Sequence, residues 1–128
     1  MSVDPINPAH YAGTLCAEIG ERLTGNSYQV LKYNWRLGKK DAPVVELGKS
    51  IWYLRREIEL SYTGWRPPSA VSLPADTWFY PRLEGQTVYV RAIAWSLINW
   101  NRYADPEQLI VLLDTLKERE EGMKNDRG

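Results

Sequence analysis

Apolar residues recur at intervals of three and four along most of the chain, the spacing that places side chains on one face of an α-helix. The clearest stripe consists of Val44, Leu47, Ile51, Leu54 and Ile58. Burying such a stripe contributes on the order of 1.5–3 kcal/mol per side chain before conformational entropy is subtracted. The pattern predicts a helix that begins near Pro43 and ends at Tyr62 to Gly64.

Two helices are predicted before this one. The first runs from about Ala9 to Leu23 and is broken by residues 24–27. The second starts after Asn26 or Ser27, either of which can cap its free N–H groups. It ends at Gly38, because glycine favours the left-handed conformation that often follows a helix.

Residues 86–104 allow two interpretations. Their first positions alternate between apolar and polar residues, as in a strand. Ile93, Leu97 and Trp100 keep the spacing of a helix, which is therefore favoured. A last helix is predicted from Asp105, which can act as its N-cap, with Pro106 in the first helical position. The polar residues after Glu118 are expected to fray.

Residues 64–85 contain four prolines and are predicted not to form a regular helix. A structureless connection of this length is often functional, for example as a lid or a binding loop. The alternative is an arm that packs on the core or on a neighbouring subunit. Both interpretations stay open from the sequence.

The predicted fold is an all-α domain of about five helices with a long connecting segment rich in Pro and Trp. A length of 128 residues fits a single domain. Its expected parts are a helical half (1–62), the connecting segment (63–85), a helical pair (86–122) and a frayed tail (123–128).

Several classes of protein are disfavoured by the composition. No apolar run reaches the roughly 18 residues of a membrane span, so we expect no membrane partner. The single cysteine, Cys16, allows no intramolecular disulfide and favours a reducing compartment. The formal net charge is zero, which argues against general nucleic-acid binding. The stretch from Tyr28 to Arg66 is nevertheless basic, as expected for a local anion site.

Six tryptophans and eight tyrosines accompany only one phenylalanine. Trp and Tyr combine an apolar ring with a polar group and favour interfaces and ligand pockets. They exceed what one small core can bury, so we expect a closed homo-oligomer with an even number of subunits.

Cations and aromatic rings share one face on each of two neighbouring predicted helices. The second helix region carries Lys32, Tyr33, Trp35, Arg36, Lys39 and Lys40, and the third carries Lys49, Trp52, Tyr53 and Arg56. The short connection predicts antiparallel neighbours, whose combined surface would offer cations to phosphates and rings to a base. Solvated cations beside interface aromatics are the alternative interpretation.

Other chemistry finds little support in the sequence. Gly48, Lys49 and Ser50 resemble the end of a P-loop, but Pro43 stands where the first glycine belongs. No acids have the spacing of metal ligands or of an acid/base pair. We therefore predict no catalytic residue, no metal site and no cofactor. His10 is the only histidine.

Three blocks resemble a family of small phage proteins: DPINPAHY at 4–11, KYNWRLGKKD at 32–41 and ELGKSIWYLRREIE at 46–59. The resemblance covers residues 4–60, and the family includes P-loop-free coliphage nucleotide kinases that form homo-oligomers. It implies nucleotide-contacting or motif positions at His10, Tyr11, Lys32, Tyr33, Arg36, Lys39, Lys40, Trp52 and Tyr53. The chain departs from the family pattern at Gln29, and it has Leu15 and Glu18 in place of two acidic family positions. Lost polar groups weaken an inherited catalytic role more than a binding role.

The leading hypothesis is a phage nucleotide-binding protein in the host cytoplasm that sequesters a nucleotide immune second messenger without turnover. A cyclic oligonucleotide or a cyclised ADP-ribose would be such a ligand. One alternative is a P-loop-free nucleoside monophosphate kinase, as the family implies. Another is an inhibitor of a host enzyme that uses residues 65–80 as an exposed arm.

Overall fold

A computed structural model of the chain describes residues 15–68 and 73–127. These ranges contain helices and turns but no strand, which confirms the all-α prediction. The helices are α1 (15–20), α2 (Gly25–Trp35), α3 (Pro43–Tyr62), α4 (Asp76–Leu83), α5 (Val88–Tyr103) and α6 (Glu107–Arg127). Residues 86–104 are thus helical from Val88 onwards, as the apolar spacing favours.

Helices α2 and α3 are antiparallel neighbours, as the short connection between them predicts. Near the start of α2, Ser27 Oγ donates to Glu57 at 3.2 Å. Near its end, Asn34 Nδ2 donates to Ser50 Oγ at 2.6 Å. The start of α2 thus lies beside the C-terminal half of α3, and the end of α2 lies beside the N-terminal half of α3. This antiparallel arrangement brings the two predicted cationic faces next to each other.

Helix α5 packs on α2, and α6 packs on both α3 and α5. Asn101 on α5 donates to Ser27 Oγ at 3.0 Å, and Tyr89 donates to Asn34 Oδ1 at 3.1 Å. Between α5 and α6, Ala104 adopts a left-handed conformation with φ of 57°. Fully buried side chains from all six helices form one core, among them Ile19, Leu31, Leu54, Phe79, Leu97, Trp100 and Leu116.

The cap predicted for α2 is wrong by two to three residues. Thr24 is the N-cap, and its Oγ1 accepts a hydrogen bond of 3.2 Å from the backbone N–H of Ser27. Asn26 and Ser27 lie inside the helix, where their side chains donate to Glu57. The cap of α6 is as predicted, because Asp105 Oδ1 accepts from the N–H of Glu107 at 3.0 Å.

Helix α4 corrects the prediction that residues 64–85 form no regular helix. It contains Pro81, which costs about 3 kcal/mol in a helix interior because a hydrogen bond is lost. Phe79 and Leu83, four residues apart, are both fully or almost fully buried. Burying two such side chains contributes roughly 1.5–3 kcal/mol each, which offsets the proline. This part of the segment packs on the core, in agreement with the second of the two interpretations of the sequence.

The C-terminal tail is also wrongly predicted. Helix α6 continues to Arg127 instead of fraying after Glu118. Arg119 lies over the ring of Tyr89 with its Cζ 3.6 Å from the centroid, and Met123 packs against the core. These contacts hold the polar end of α6 on the domain. In the described parts of the chain, no helix has both the length and the apolar character needed to cross a membrane.

Candidate functional site

Three cations surround the ring of Tyr33 on the surface shared by α2 and α3. Lys32 Nζ lies 4.8 Å from the ring centroid, Arg36 Cζ 5.0 Å and Lys49 Nζ 5.6 Å. Each such contact is favourable by about 0.5–1 kcal/mol at an exposed position. The ring lets three like charges stand close together, and the surface becomes an attractive place for an anion.

Two further aromatic rings extend this surface. The ring of Tyr53 stacks on Tyr33 with centroids 6.0 Å apart and planes at 18°. Trp52 meets Tyr53 edge-on at 5.0 Å and is 61% exposed. Tyr33, Lys49, Trp52 and Tyr53 line a shallow recess of about 360 Å³. We call Lys32, Tyr33, Arg36, Lys49, Trp52 and Tyr53 the Tyr33 cluster.

The two lysines of the Tyr33 cluster have pKa values shifted in opposite directions by their surroundings. Partial burial, followed by the charges of Arg36 and Lys40, lowers the pKa of Lys32. The pKa of Lys49 is raised, chiefly by its hydrogen bond of 3.1 Å to Asp41. Of the two lysines, Lys32 therefore loses its positive charge at the lower pH.

A buried acid lies beneath the Tyr33 cluster. Glu46 is fully buried, and its Oε1 is 3.7 Å from Arg36 Nε. Within the described residues, neither carboxylate oxygen of Glu46 has a hydrogen-bond partner. Arg36 forms an ion pair with this buried carboxylate and therefore has a structural role besides any contact with a ligand.

Four of the predicted site residues lie elsewhere. Arg56 is exposed and pairs with Glu59 at 3.1 Å. Lys40 lies in the exposed turn after α2, from where its charge contributes to lowering the pKa of Lys32. Trp35 is buried in the core, and together with Lys39 it lines a different cavity. Two more, His10 and Tyr11, lie outside the described residues.

Glu57 was missed as a special residue by the sequence analysis. Its carboxylate is 1% exposed and accepts hydrogen bonds from the side chains of Thr24, Asn26, Ser27 and Trp100. It lines a recess of about 390 Å³ that also includes Tyr53 and Trp65. The signal was present, since Glu57 follows Leu54 by three residues and so belongs to the apolar face of α3.

No protein-family model matches the chain, and neither a curated protein nor a solved structure matches it. The resemblance of residues 4–60 to small phage proteins stays a prediction. In the described parts of the chain, no three or more His, Cys, Asp and Glu side chains are grouped so that they could hold a metal ion. The chemistry of the site has to be inferred from its geometry.

Proposed function

We propose that the protein binds a nucleotide at the Tyr33 cluster and sequesters it without chemical turnover. The observation that carries this proposal is the convergence of Lys32, Arg36 and Lys49 on one tyrosine ring, next to the exposed ring of Trp52. Phosphate requires cations, and a base requires a flat ring on which to stack. Both groups are present within one surface.

The strength of such a site can be estimated from its parts. A hydrogen bond between a cation and a phosphate contributes roughly 1.5–3 kcal/mol. Stacking of a base on Trp52 adds about 1–3 kcal/mol. Two or three cation contacts with one stacked base approach the roughly 8 kcal/mol that corresponds to a micromolar dissociation constant. The site is open, so the phosphates would remain partly hydrated and the cations would contribute toward the lower end.

Absence of turnover is proposed because the acids around the cluster have other roles. Asp41 is hydrogen-bonded to Lys49, and Glu59 pairs with Arg56. Glu46 is fully buried and forms an ion pair with Arg36, so it has no access to a ligand on the surface. Glu57 already accepts several hydrogen bonds in the core. Phosphoryl transfer depends on groups that stabilise charge developing in the transition state. Cations that bind ground state and transition state equally give affinity without rate.

The biological role that we propose follows from the phage resemblance. A phage protein that holds a nucleotide tightly can lower the concentration of a nucleotide second messenger used in bacterial immunity. The proposed ligand class is therefore a cyclic oligonucleotide or a cyclised ADP-ribose. The proposed role rests on an analogy with other phage sponge proteins, whereas the proposed nucleotide binding rests on the side chains of the Tyr33 cluster.

One experiment tests binding and turnover together. The protein is purified from infected cells, denatured by heat, and the released small molecules are identified by mass spectrometry. Separately, it is incubated with ATP, magnesium and each deoxynucleoside monophosphate. We expect the protein to release its bound nucleotide without chemical modification. We also expect its affinity for this nucleotide to be the same with and without magnesium. Steady diphosphate production above about one turnover per minute would replace this proposal with a nucleoside monophosphate kinase.

A further inference from the structure

A second cavity lies where the end of α2 meets the start of α5 and the C-terminal half of α6. Its volume is about 510 Å³, within the range of small-molecule sites. Two cations, Lys39 and Arg119, line it, and no acidic residue is among the described residues of its wall. Trp35, Leu37 and Val90 supply apolar surface. None of its lining residues belongs to the Tyr33 cluster.

The two cations of this cavity lack an acidic partner within residues 15–68 and 73–127. No described acid forms an ion pair with Lys39 or Arg119. The guanidinium of Arg119 is held against the ring of Tyr89, with Cζ 3.6 Å from the centroid. Tyr89 is in turn fixed by donating a hydrogen bond of 3.1 Å to Asn34 Oδ1. Arg119 is thus preorganised without an ion-pair partner in the part of the chain that the structure describes.

The first turn of α5 contributes to the same wall. Thr87 is its N-cap and accepts a hydrogen bond of 3.1 Å from the N–H of Val90. The N–H groups at the start of a helix lack intrahelical acceptors and carry partial positive charge. Helix α5 has 16 residues, and Thr87, Tyr89 and Val90 all line the cavity. The helix end therefore adds to the attraction that the two cations exert on an anion.

A buried donor without an acceptor belongs to a residue of the cavity wall. Trp35 is only 8% exposed, and its indole Nε1 has no hydrogen-bond acceptor in the described structure. Leaving a buried donor unpaired costs about 1–3 kcal/mol, and native proteins rarely tolerate it without a reason. Because Trp35 lines the cavity, its indole N–H reports on whatever binds there.

We propose that this cavity is a second ligand site, separate from the Tyr33 cluster, for a small phosphate ester. The phosphate group lies between Lys39, Arg119 and the first turn of α5. The organic part of the ligand lies against Trp35 and Leu37. The cavity is larger than one phosphate group, and these two side chains give its wall an apolar surface. This proposal does not depend on nucleotide binding at the Tyr33 cluster.

The test uses the full chain with phenyl phosphate and inorganic phosphate as probes. Binding is followed by calorimetry and by the NMR signal of the Trp35 indole N–H, assigned with a Trp35→Phe variant. We expect saturable binding of phenyl phosphate, weaker binding of inorganic phosphate, and a shift of the indole signal with both. Equal affinity for the two probes would overturn the assignment of an ester. Absence of saturation up to about 10 mM would overturn the site.

Variants distinguish this site from the Tyr33 cluster. Arg119→Gln and Lys39→Gln should each weaken phenyl phosphate binding at least tenfold, and Lys39 is exposed, so its variant should fold normally. Lys117→Gln, two residues before Arg119 on α6, is the matched control and should have no effect. Lys49→Ala should leave phenyl phosphate binding unchanged even if it abolishes nucleotide binding. Unchanged affinity in both cavity variants would contradict the proposal.

Discussion

The indole Nε1 of Trp100 donates a hydrogen bond of 2.9 Å to the carboxylate of Glu57 inside the core. Both side chains are almost completely buried. The same carboxylate accepts from Ser27 at 3.2 Å. One charged group on α3 therefore joins α2 and α5, and its several donors compensate for the loss of water.

Replacing Glu57 by alanine should destabilise the protein by about 3 kcal/mol or more, because several buried donors lose their acceptor at once. The measurement is urea denaturation followed by circular dichroism. Glu59→Ala is the matched control, since Glu59 is exposed on the same helix and its ion pair with Arg56 is worth at most about 1 kcal/mol. A loss below about 1 kcal/mol in Glu57→Ala would show that these hydrogen bonds contribute little.

Lys49→Ala should weaken nucleotide binding more than tenfold while hardly changing the melting temperature. Lys49 is exposed, and its contact with Asp41 is a surface ion pair. It is a better test than Arg36, whose removal also leaves the buried Glu46 without its counter-charge. Binding is measured by calorimetry with the released nucleotide. Arg55→Ala, an exposed cation on α3 outside the Tyr33 cluster, is the control, and equal losses in the two variants would reject the assignment.

Nucleotide affinity should decline as the pH rises, and the decline should begin at a lower pH than the loss of charge from an unperturbed lysine would produce. Partial burial and the charges of Arg36 and Lys40 lower the pKa of Lys32, so its positive charge is lost at a lower pH. Above that pKa, Lys32 must take up a proton when the anion binds, and this requirement weakens the affinity. Affinities measured from about pH 7 to about pH 10 should show this decline. Lys32→Arg should flatten the profile, and an unaltered profile would exclude Lys32 as its source.

The thiol of Cys16 should be unreactive in the folded protein. Burial raises its pKa to about 12, against the opposing influence of Lys32 and Arg36. Only the thiolate is nucleophilic, and the side chain is 5% exposed. Alkylation by iodoacetamide near pH 8, followed by intact mass, should be at least a hundredfold slower in native buffer than in guanidinium. Rates within tenfold of each other would show that Cys16 is accessible.

A closed homo-oligomer with an even number of subunits is still expected. Besides Trp52 of the Tyr33 cluster, the described surface carries several exposed large apolar side chains, namely Val45, Tyr62, Tyr80, Val88, Tyr103 and Val111. Apolar groups that stay exposed in a monomer favour association, and closed symmetry limits it to a defined number of copies. Native mass spectrometry should show an even assembly. Monomer alone at micromolar concentration would contradict the prediction.

The parts of the fold that depend on local periodicity are predictable from the amino-acid sequence. The spacing of apolar residues predicted α3 at its observed bounds, Pro43–Tyr62. The short connection before α3 predicted that Tyr33 and Tyr53 would lie on adjacent helices, and they stack in the structure. Periodicity and chain connectivity act over a few residues, so they can be read without knowledge of the rest of the molecule.

Residues that depart from their local preference become apparent in the packed fold and are not predictable from neighbouring positions. Pro81 is helical because Phe79 and Leu83 are buried against distant parts of the chain. Glu57 is buried because its donors come from α2 and α5, the farthest 43 positions away. In the same way, Arg119 on α6 meets Tyr89 on α5 in a region where fraying was predicted. Burial of a polar or helix-breaking residue depends on partners that are remote in sequence, and local patterns carry no information about them.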